Sequence, residues 1–356
     1  MTLPLRRPYP PMEARSVDAI PVGPEWQYEP KWDGFRCLAF KDGDQVALQS
    51  KAGEPLERYF PEMVAVVGAV KAPRFVLDGE IVVPKGKSLS FDDLLMRIHP
   101  AESRVRKLAA ETPAMLIVFD LLVDEKGASL VERPLEERRP RLEAFAARYL
   151  KDNPSIRLSP ASDDLAAAKK WFDETRGALD GVIAKRKDLR YRSGDRTGMV
   201  KIKHRRTADC VAGGFRYASA GKSAIGSLLL GLYDEAGLLH HVGFTSSFSA
   251  ADKKALIPKL EKLVKPPGFT GSAPGGPSRW STERSTEWEP LQPKLVAEVE
   301  YDHVSGGRFR HGTKFLRWRP DKAPRQCTLD QIAIPEGSLL QLLRAPRAVR
   351  SSSRGS

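Results

Sequence analysis

The sequence predicts an α+β chain of two domains, on three observations. Its 356 residues exceed the usual size of one domain, and 41% of them are hydrophobic, enough to bury more than one core. Up to about residue 205, apolar strand-like runs alternate with helix signals. Beyond Arg206 short strands and turns replace that pattern. The expected divisions are 1–205, 206–335 and a basic tail, 336–356, which lacks a core-forming pattern past Leu343 and is expected to end in disorder.

In the first part the strongest strand runs are Phe75–Val83 and Met115–Val123. Helices are expected over Pro134–Leu150 and, more briefly, after Ser90, where Phe91, Leu94 and Leu95 form an apolar face. A further helix should start at the capping hydroxyl of Ser162, with Asp163 and Asp164 at its positive end, and stop before Gly177. In the second part, Ser227–Tyr233 and Leu238–Phe244 flank Asp234–Gly237 as a hairpin, and Ser249 caps a helix over Ala250–Val264. A Gly/Pro/Ser-rich stretch, Pro266–Ser278, separates that helix from strands around Leu295–Tyr301 and Phe309–Trp318. About five strands with one helix predict a small barrel of the OB type.

Lys and Arg number 58 against 45 Asp and Glu, a net charge of +13, so polyanions lead the partner classes. Cys37, Cys210 and Cys327 have no CxxC spacing, which excludes a disulfide framework and a four-thiolate zinc site and fits a reducing cytosol. Met1–Arg15 has no apolar core of signal-peptide length, and no run approaches the roughly 20 apolar residues of a spanning helix. A soluble, unprocessed, cytoplasmic protein without a membrane partner is expected.

Four segments carry candidate chemistry. Glu29-Pro-Lys31-Trp-Asp-Gly34-Phe-Arg36 places a lysine before an acid and a glycine, which alone could be an ordinary turn. Phe75-Val-Leu-Asp78-Gly79-Glu80 puts two carboxylates on one face of a strand; they either face water at an edge or need a buried partner. Asp180-Gly-Val-Ile-Ala-Lys185 again opens a strand with an acid and a glycine, and Val200-Lys201-Ile-Lys203 lines up two lysines. These residue types suit a metal and phosphates, although Lys/Ile alternation is also what a half-exposed strand shows. Phe119, in a nearly all-apolar strand, is by default a core residue whose ring could equally stack on a base.

The order KWDG, SKAG (Ser50–Gly53), LDGE, FDLL, DGVIAKR, VKIK and RWRPDK resembles the covalent nucleotidyltransferases, and within them the ATP-dependent DNA ligases. The likeness runs from about Pro11 to Gln331 and is strongest to the small bacterial ligases of the ligase C type, through Tyr28–Arg36, Thr197–His204 and Arg308–Arg319. It implies a nucleotidyltransferase adenylation domain of ATP-grasp-like antiparallel sheets with helices, followed by an OB-fold. It implies ATP and Mg²⁺ (Mn²⁺ as the alternative) as cofactors and nicked or broken duplex DNA as substrate. A monomer near the nucleoid is expected, in bacterial repair, beside a Ku-like end-binding protein or a repair polymerase.

By the same resemblance Lys31 is the nucleophile that takes AMP, Glu29 meets the adenine amino group, Phe119 stacks on the base, and Arg36 and Glu80 hold the ribose. Lys51 stands where the family has arginine and Asp180 where it has glutamate; Asp180 and Glu80 are the implied metal ligands. Lys201 and Lys203 would neutralise phosphates and, with the metal, depress the pKa of Lys31. Arg319, Asp321 and Lys322 match a motif that orients pyrophosphate by moving over ATP, with Gly213-Gly214 or His204–Ala208 as the hinge. An RNA ligase or capping guanylyltransferase shares the lysine site and is the alternative; a binding module has no need of Lys31, Glu80, Asp180, Lys201 and Lys203 together. An NAD-dependent ligase is disfavoured by the missing nicotinamide-recognition and zinc modules, and no separate DNA-binding domain is expected ahead of the first domain. A chain of charge +13 should grip DNA phosphates with Lys and Arg, so affinity for a nicked duplex is expected to fall about a hundredfold or more between low and physiological salt. Fluorescence anisotropy checks this; a flat salt response contradicts it.

Overall fold

Runs of Val, Leu and Ile with few polar interruptions can bury both faces of a strand, and Arg74–Val82 and Met115–Val123 do so as the centre of a five-stranded sheet. The computed structural model describes residues 1–174, 179–219, 221–275, 287–333 and 339–343. It divides into two units, Met1–Lys203 with Pro335–Ser356, and His204–Ile334.

Among its described residues the first unit holds a two-stranded ribbon, Pro84–Lys85 with Ser88–Leu89, and two large sheets. One runs in the order Gln45–Ser50, Phe35–Asp42, Arg74–Val82, Met115–Val123, Ile156–Leu158, antiparallel except for the last pair. Helices Pro61–Gly68 and Leu135–Tyr149 cover its outer face, burying Met63, Val67, Leu142 and Phe145 against Leu77 and Leu121. The other sheet is four-stranded, Arg15–Ser16, Met199–Lys203, Gly181–Arg186, Trp26–Lys31, and carries helix Leu165–Glu174. Leu38, Phe40 and Val76 of the first sheet share one apolar cluster with Met199 of the second, so the two pack together.

The second unit is built on a curled sheet, Leu239–Thr245, Gly221–Tyr233, Arg206–Ala218, Val296–Tyr301, Lys314–Trp318, with Glu289–Pro290 paired to Arg206–Ala218, and has a two-stranded ribbon, Val304–Ser305 with Arg308–Phe309. Its ladder does not close, but the edges meet at a bridge between Thr245 and Thr313, where Thr245 Oγ1 donates to the Thr313 carbonyl at 2.9 Å. A partly open barrel of the OB type results.

Several expectations change in detail. The Ser162 helix starts at Leu165, because the backbone of Ser162 pairs with Tyr28 in both directions and Asp164 Oδ1 accepts from Ala166 N instead. Its expected stop before Gly177 lies outside the described residues. Ser249 does cap its helix, but Ala250–Val264 is two short helices, Ala250–Ala255 and Ile257–Glu261, since Pro258 has no N–H to continue the ladder. Helices Pro61–Gly68 and Glu102–Glu111 had no distinct sequence signal. Within the expected tail, Leu339–Leu343 forms a 3₁₀ turn whose Leu339 is buried against Trp32, Val82 and Ile117; 336–338 and 344–356 lie outside the described residues. Gly213-Gly214 is not placed as a hinge: it sits inside strand Arg206–Ala218 under the rings of Phe269 and Trp288.

A buried ion pair ties helix Leu135–Tyr149 to the sheet: Arg138 Nε and Nη2 each donate to Asp120 at 2.9 Å. Burial alone would raise the Asp120 carboxyl, but Arg138 more than offsets this and holds it below the usual carboxylate range. The stabilisation is therefore present above about pH 4 and lost as pH falls through the lower folded-state value. Asp120→Ala should cost about 3–5 kcal/mol at pH 7 by stranding Arg138, and the variant should lose less further stability on acidification than the parent. Urea unfolding at pH 7 and pH 3 measures both.

Candidate active site

Strand Trp26–Lys31 belongs to the four-stranded sheet and strand Phe35–Asp42 to the five-stranded one, so only Trp32, Asp33 and Gly34 carry the chain between them. A β-carbon at Gly34 would lie 2.2 Å from the Ile81 carbonyl oxygen, so no other residue fits this crossing. Trp32 is buried and its Nε1 donates to Ser159 Oγ at 2.9 Å, which fixes the turn.

Strand alternation then sets the inner face of the four-stranded sheet. Lys31, Gly181 and Lys203 lie in one row across the ladder, Glu29, Ile183 and Lys201 in the next, Gln27, Lys185 and Met199 in the third. Gly181 has φ +142°, and a β-carbon there would meet the Ile202 carbonyl at 1.9 Å. Facing these rows across one cleft are Arg36, Glu80 and Phe119 of the other sheet, with Lys51 at its edge.

The Lys31 ammonium donates to Asp180 Oδ2, and Lys203 Nζ lies 3.8 Å from the same oxygen. Burial pulls the Lys31 pKa down, yet Asp180 more than reverses this and holds the ammonium above its ordinary value. The depression expected of Lys31 rests on a metal as well as on Lys201 and Lys203; with the protein's own groups alone Lys31 is held up, and it is Lys201 that is lowered, by burial and then by Lys31, Lys203 and Lys51. Burial pushes Glu80 up to about 7 against the pull of Lys31 and Arg36. Arg36 forks onto buried Asp78 at 2.5 and 2.6 Å, and Tyr191 OH donates to Asp78 at 2.7 Å. Lys51 pairs with Glu13 at 2.9 Å.

Arg319, Asp321 and Lys322 form a separate cluster in the second unit. Arg319 Nη1 donates to both oxygens of buried Asp209 at 3.0 Å, Lys322 Nζ to Asp209 Oδ2 at 2.8 Å, and Arg319 Nη2 to Asp321 at 2.7 Å.

Residues 11–203 match the family model of the ATP dependent DNA ligase domain, and residues 221–322 that of the ATP dependent DNA ligase C terminal region. The chain belongs to the ATP-dependent DNA ligases. This ligase is 46% identical over 353 residues to DNA ligase C of Mycobacterium tuberculosis (strain ATCC 25618 / H37Rv), a match covering 94% of this chain and 96% of that one. It is 44% identical over 346 residues to DNA ligase C1 of Mycolicibacterium smegmatis, covering 94% and 97%. At 30% over 308 residues it resembles the multifunctional non-homologous end joining protein LigD of Mycobacterium bovis, covering 85% of this chain and 37% of that one. In fold it is similar to a solved structure from the Lig E DNA ligases, with TM-score 0.54 and 16% identity over 87% of this chain and 99% of that one. Its two units are a nucleotidyltransferase fold and an OB-fold, and neither an RNA ligase nor a capping enzyme is favoured.

Gln27 and Tyr191 of the ligase's cleft and Asp209 of its second unit went unread in the sequence, and Asp78 and Lys185 were read within their motifs but without their partners. Gln27 and Lys185 hold Glu29, Asp78 holds Arg36 and is itself held by the Tyr191 hydroxyl, and in the second unit Asp209 gathers Arg319 and Lys322. The strand period, which sets Lys185 two places from Ile183, was the available signal for the first pair. Among the described residues no three His, Cys, Asp or Glu side chains form a metal cage. Asp180 and Glu80 are hard oxygen donors beside Lys31, a set that fits a divalent cation shared with phosphates rather than one caged by protein alone.

Proposed function

We propose that this ligase seals 5′-phosphate/3′-hydroxyl nicks in duplex DNA, forming a phosphodiester bond in three transfers. Lys31 Nζ attacks the α-phosphorus of ATP and pyrophosphate leaves; the AMP passes to the 5′-phosphate; the 3′-hydroxyl then displaces AMP. The observation that carries this is the placement of Lys31, fixed by the Gly34 crossing at the end of a cleft lined by Glu29, Arg36, Glu80, Phe119 and Lys201. Only the neutral amine attacks, so the Lys31 bond to Asp180 has to open and its proton has to leave first. Glu29 accepts from the adenine amino group, Phe119 stacks on the ring, and Arg36 and Glu80 take the ribose. Lys51, Lys201 and Lys203 neutralise phosphate oxygens. A divalent cation, Mg²⁺ or Mn²⁺, supplies further positive charge there when bound, and Asp180 and Glu80 are the residues to hold it. Arg319, Asp321 and Lys322 act on pyrophosphate in the first transfer.

The reading extends to bacterial DNA repair in the cytoplasm, at the nucleoid, with a Ku-like end-binding protein or a repair polymerase as partner. The end-joining name of LigD supports the Ku-like alternative. Pull-down from native cells tests it: recovery of neither partner class contradicts this extension.

Lys31→Ala should lower covalent AMP formation more than about a thousandfold, and Lys31→Arg should fail equally because a guanidinium stays protonated. Labelled-ATP transfer measures both. Asp180→Asn should raise the Mg²⁺ requirement about tenfold or more, while Asp180→Glu is tolerated; an unchanged metal titration in the Asn variant would make Asp180 structural only. Alanine at Arg319, Asp321 or Lys322 should cut sealing of ordinary nicks about a hundredfold and spare nicks that already carry a 5′-adenylate, since pyrophosphate is absent from the later steps. Equal loss on both substrates would assign these three to DNA binding or structure.

A further inference from the structure

The Glu29 carboxylate is 2% exposed and gripped from two sides. Gln27 Nε2 donates to Oε1 at 2.9 Å, and Lys185 Nζ reaches both oxygens at 2.8 Å. The ladder produces this grip: Glu29 pairs with Ile183 and Gln27 with Lys185, so Lys185 lies one diagonal step from Glu29 on the same face. The same ammonium donates to the Phe119 carbonyl at 3.4 Å and stands 4.7 Å from the centre of the Phe119 ring, which Arg36 also approaches at 4.7 Å. One side chain thus fixes both the acidic wall and the aromatic wall of the cleft.

We infer that Lys185 is a positioning residue that sets base selectivity, holding Glu29 as a fixed, acceptor-only group that admits a purine with an amino donor at C6 and rejects one with a carbonyl there. The inference rests on the reading that Glu29 meets the base. A carboxylate engaged by an ammonium on both oxygens has lone pairs to offer and no proton to give. An amino group at C6 donates to it. A carbonyl at C6 would set two acceptors against each other in a buried site, leaving both unsatisfied. Gln27 alone cannot maintain this, being neutral and bound to one oxygen. Without Lys185 the carboxylate is an uncompensated buried charge that turns toward other donors, so its acceptor edge no longer dictates which group the base must present.

The test compares covalent nucleotide transfer from ATP and from inosine triphosphate, whose base carries a carbonyl in place of the amino group, in the full chain. Lys185→Met should narrow the ATP-over-ITP ratio of kcat/KM by at least about tenfold, chiefly through a higher KM for ATP, and Lys185→Arg should recover most of it. An equal loss with both nucleotides, or no change in the ratio, overturns the inference. Glu29→Gln, which can donate as well as accept, separates the two levels. If its ratio is unchanged, Glu29 does not read the base and the underlying reading fails; if it narrows while that of Lys185→Met does not, only the role of Lys185 fails. Should Lys185→Met not fold, Lys185→Gln, which removes the charge and keeps one donor, decides by the same comparison.

Discussion

The first unit is organised by a steric constraint: the chain must pass from one sheet to the other in three residues, over the Ile81 carbonyl, and only glycine at position 34 lets it. Because Lys31 is the last residue before that crossing, its side chain is delivered to the cleft by a strand end that cannot slide without shifting the register of both sheets. Trp32, tied to Ser159, and the Leu339 turn packed beside it reinforce the same point from behind. An amine placed by backbone geometry loses little freedom when a substrate arrives, which is where positioning would contribute to rate in the proposed reaction.

The cleft's electrostatics follow from burying many charges together. Isolated, each would be costly; here nearly every one is matched, Lys31 and Lys203 with Asp180, Lys185 with Glu29, Arg36 with Asp78. Lys201 is the exception whose pKa falls, and Glu80 the carboxylate pushed up to about 7. On the proposed reading these two departures fall where charge would arrive, a phosphate beside Lys201 and a hydroxyl or cation beside Glu80. In the second unit Asp209 plays the organising part, since a single buried carboxylate orients both Arg319 and Lys322.

Much of this was legible in the sequence. Period-two runs gave the central strands, Ser90 and Ser249 gave their caps, and the order of KWDG, LDGE, DGVIAKR and VKIK gave the residues that line the cleft. What escaped depended on contacts between distant segments. Ser162 reads as a helix cap until its backbone is claimed by Tyr28. Gly213-Gly214 reads as a hinge until Phe269 and Trp288 are seen to need the space. Among the protein's own groups, the direction of the Lys31 shift depends on which neighbour comes nearest, and a sequence holding both Asp180 and Lys201 does not disclose that Asp180 does. Lys185 stood in a motif without a role and Asp209 was one acid among many; the partners the fold brings to them give both their meaning.

The central claim is that one lysine, Lys31, carries the nucleotide. It is tested most directly by incubating the unaltered ligase with ATP and a divalent cation, digesting it, and locating the adenylate by mass spectrometry. The adduct should appear on the peptide containing Lys31 and on no other. Adenylate on Lys51, Lys185, Lys201 or Lys203 with Lys31 unmodified would contradict the account.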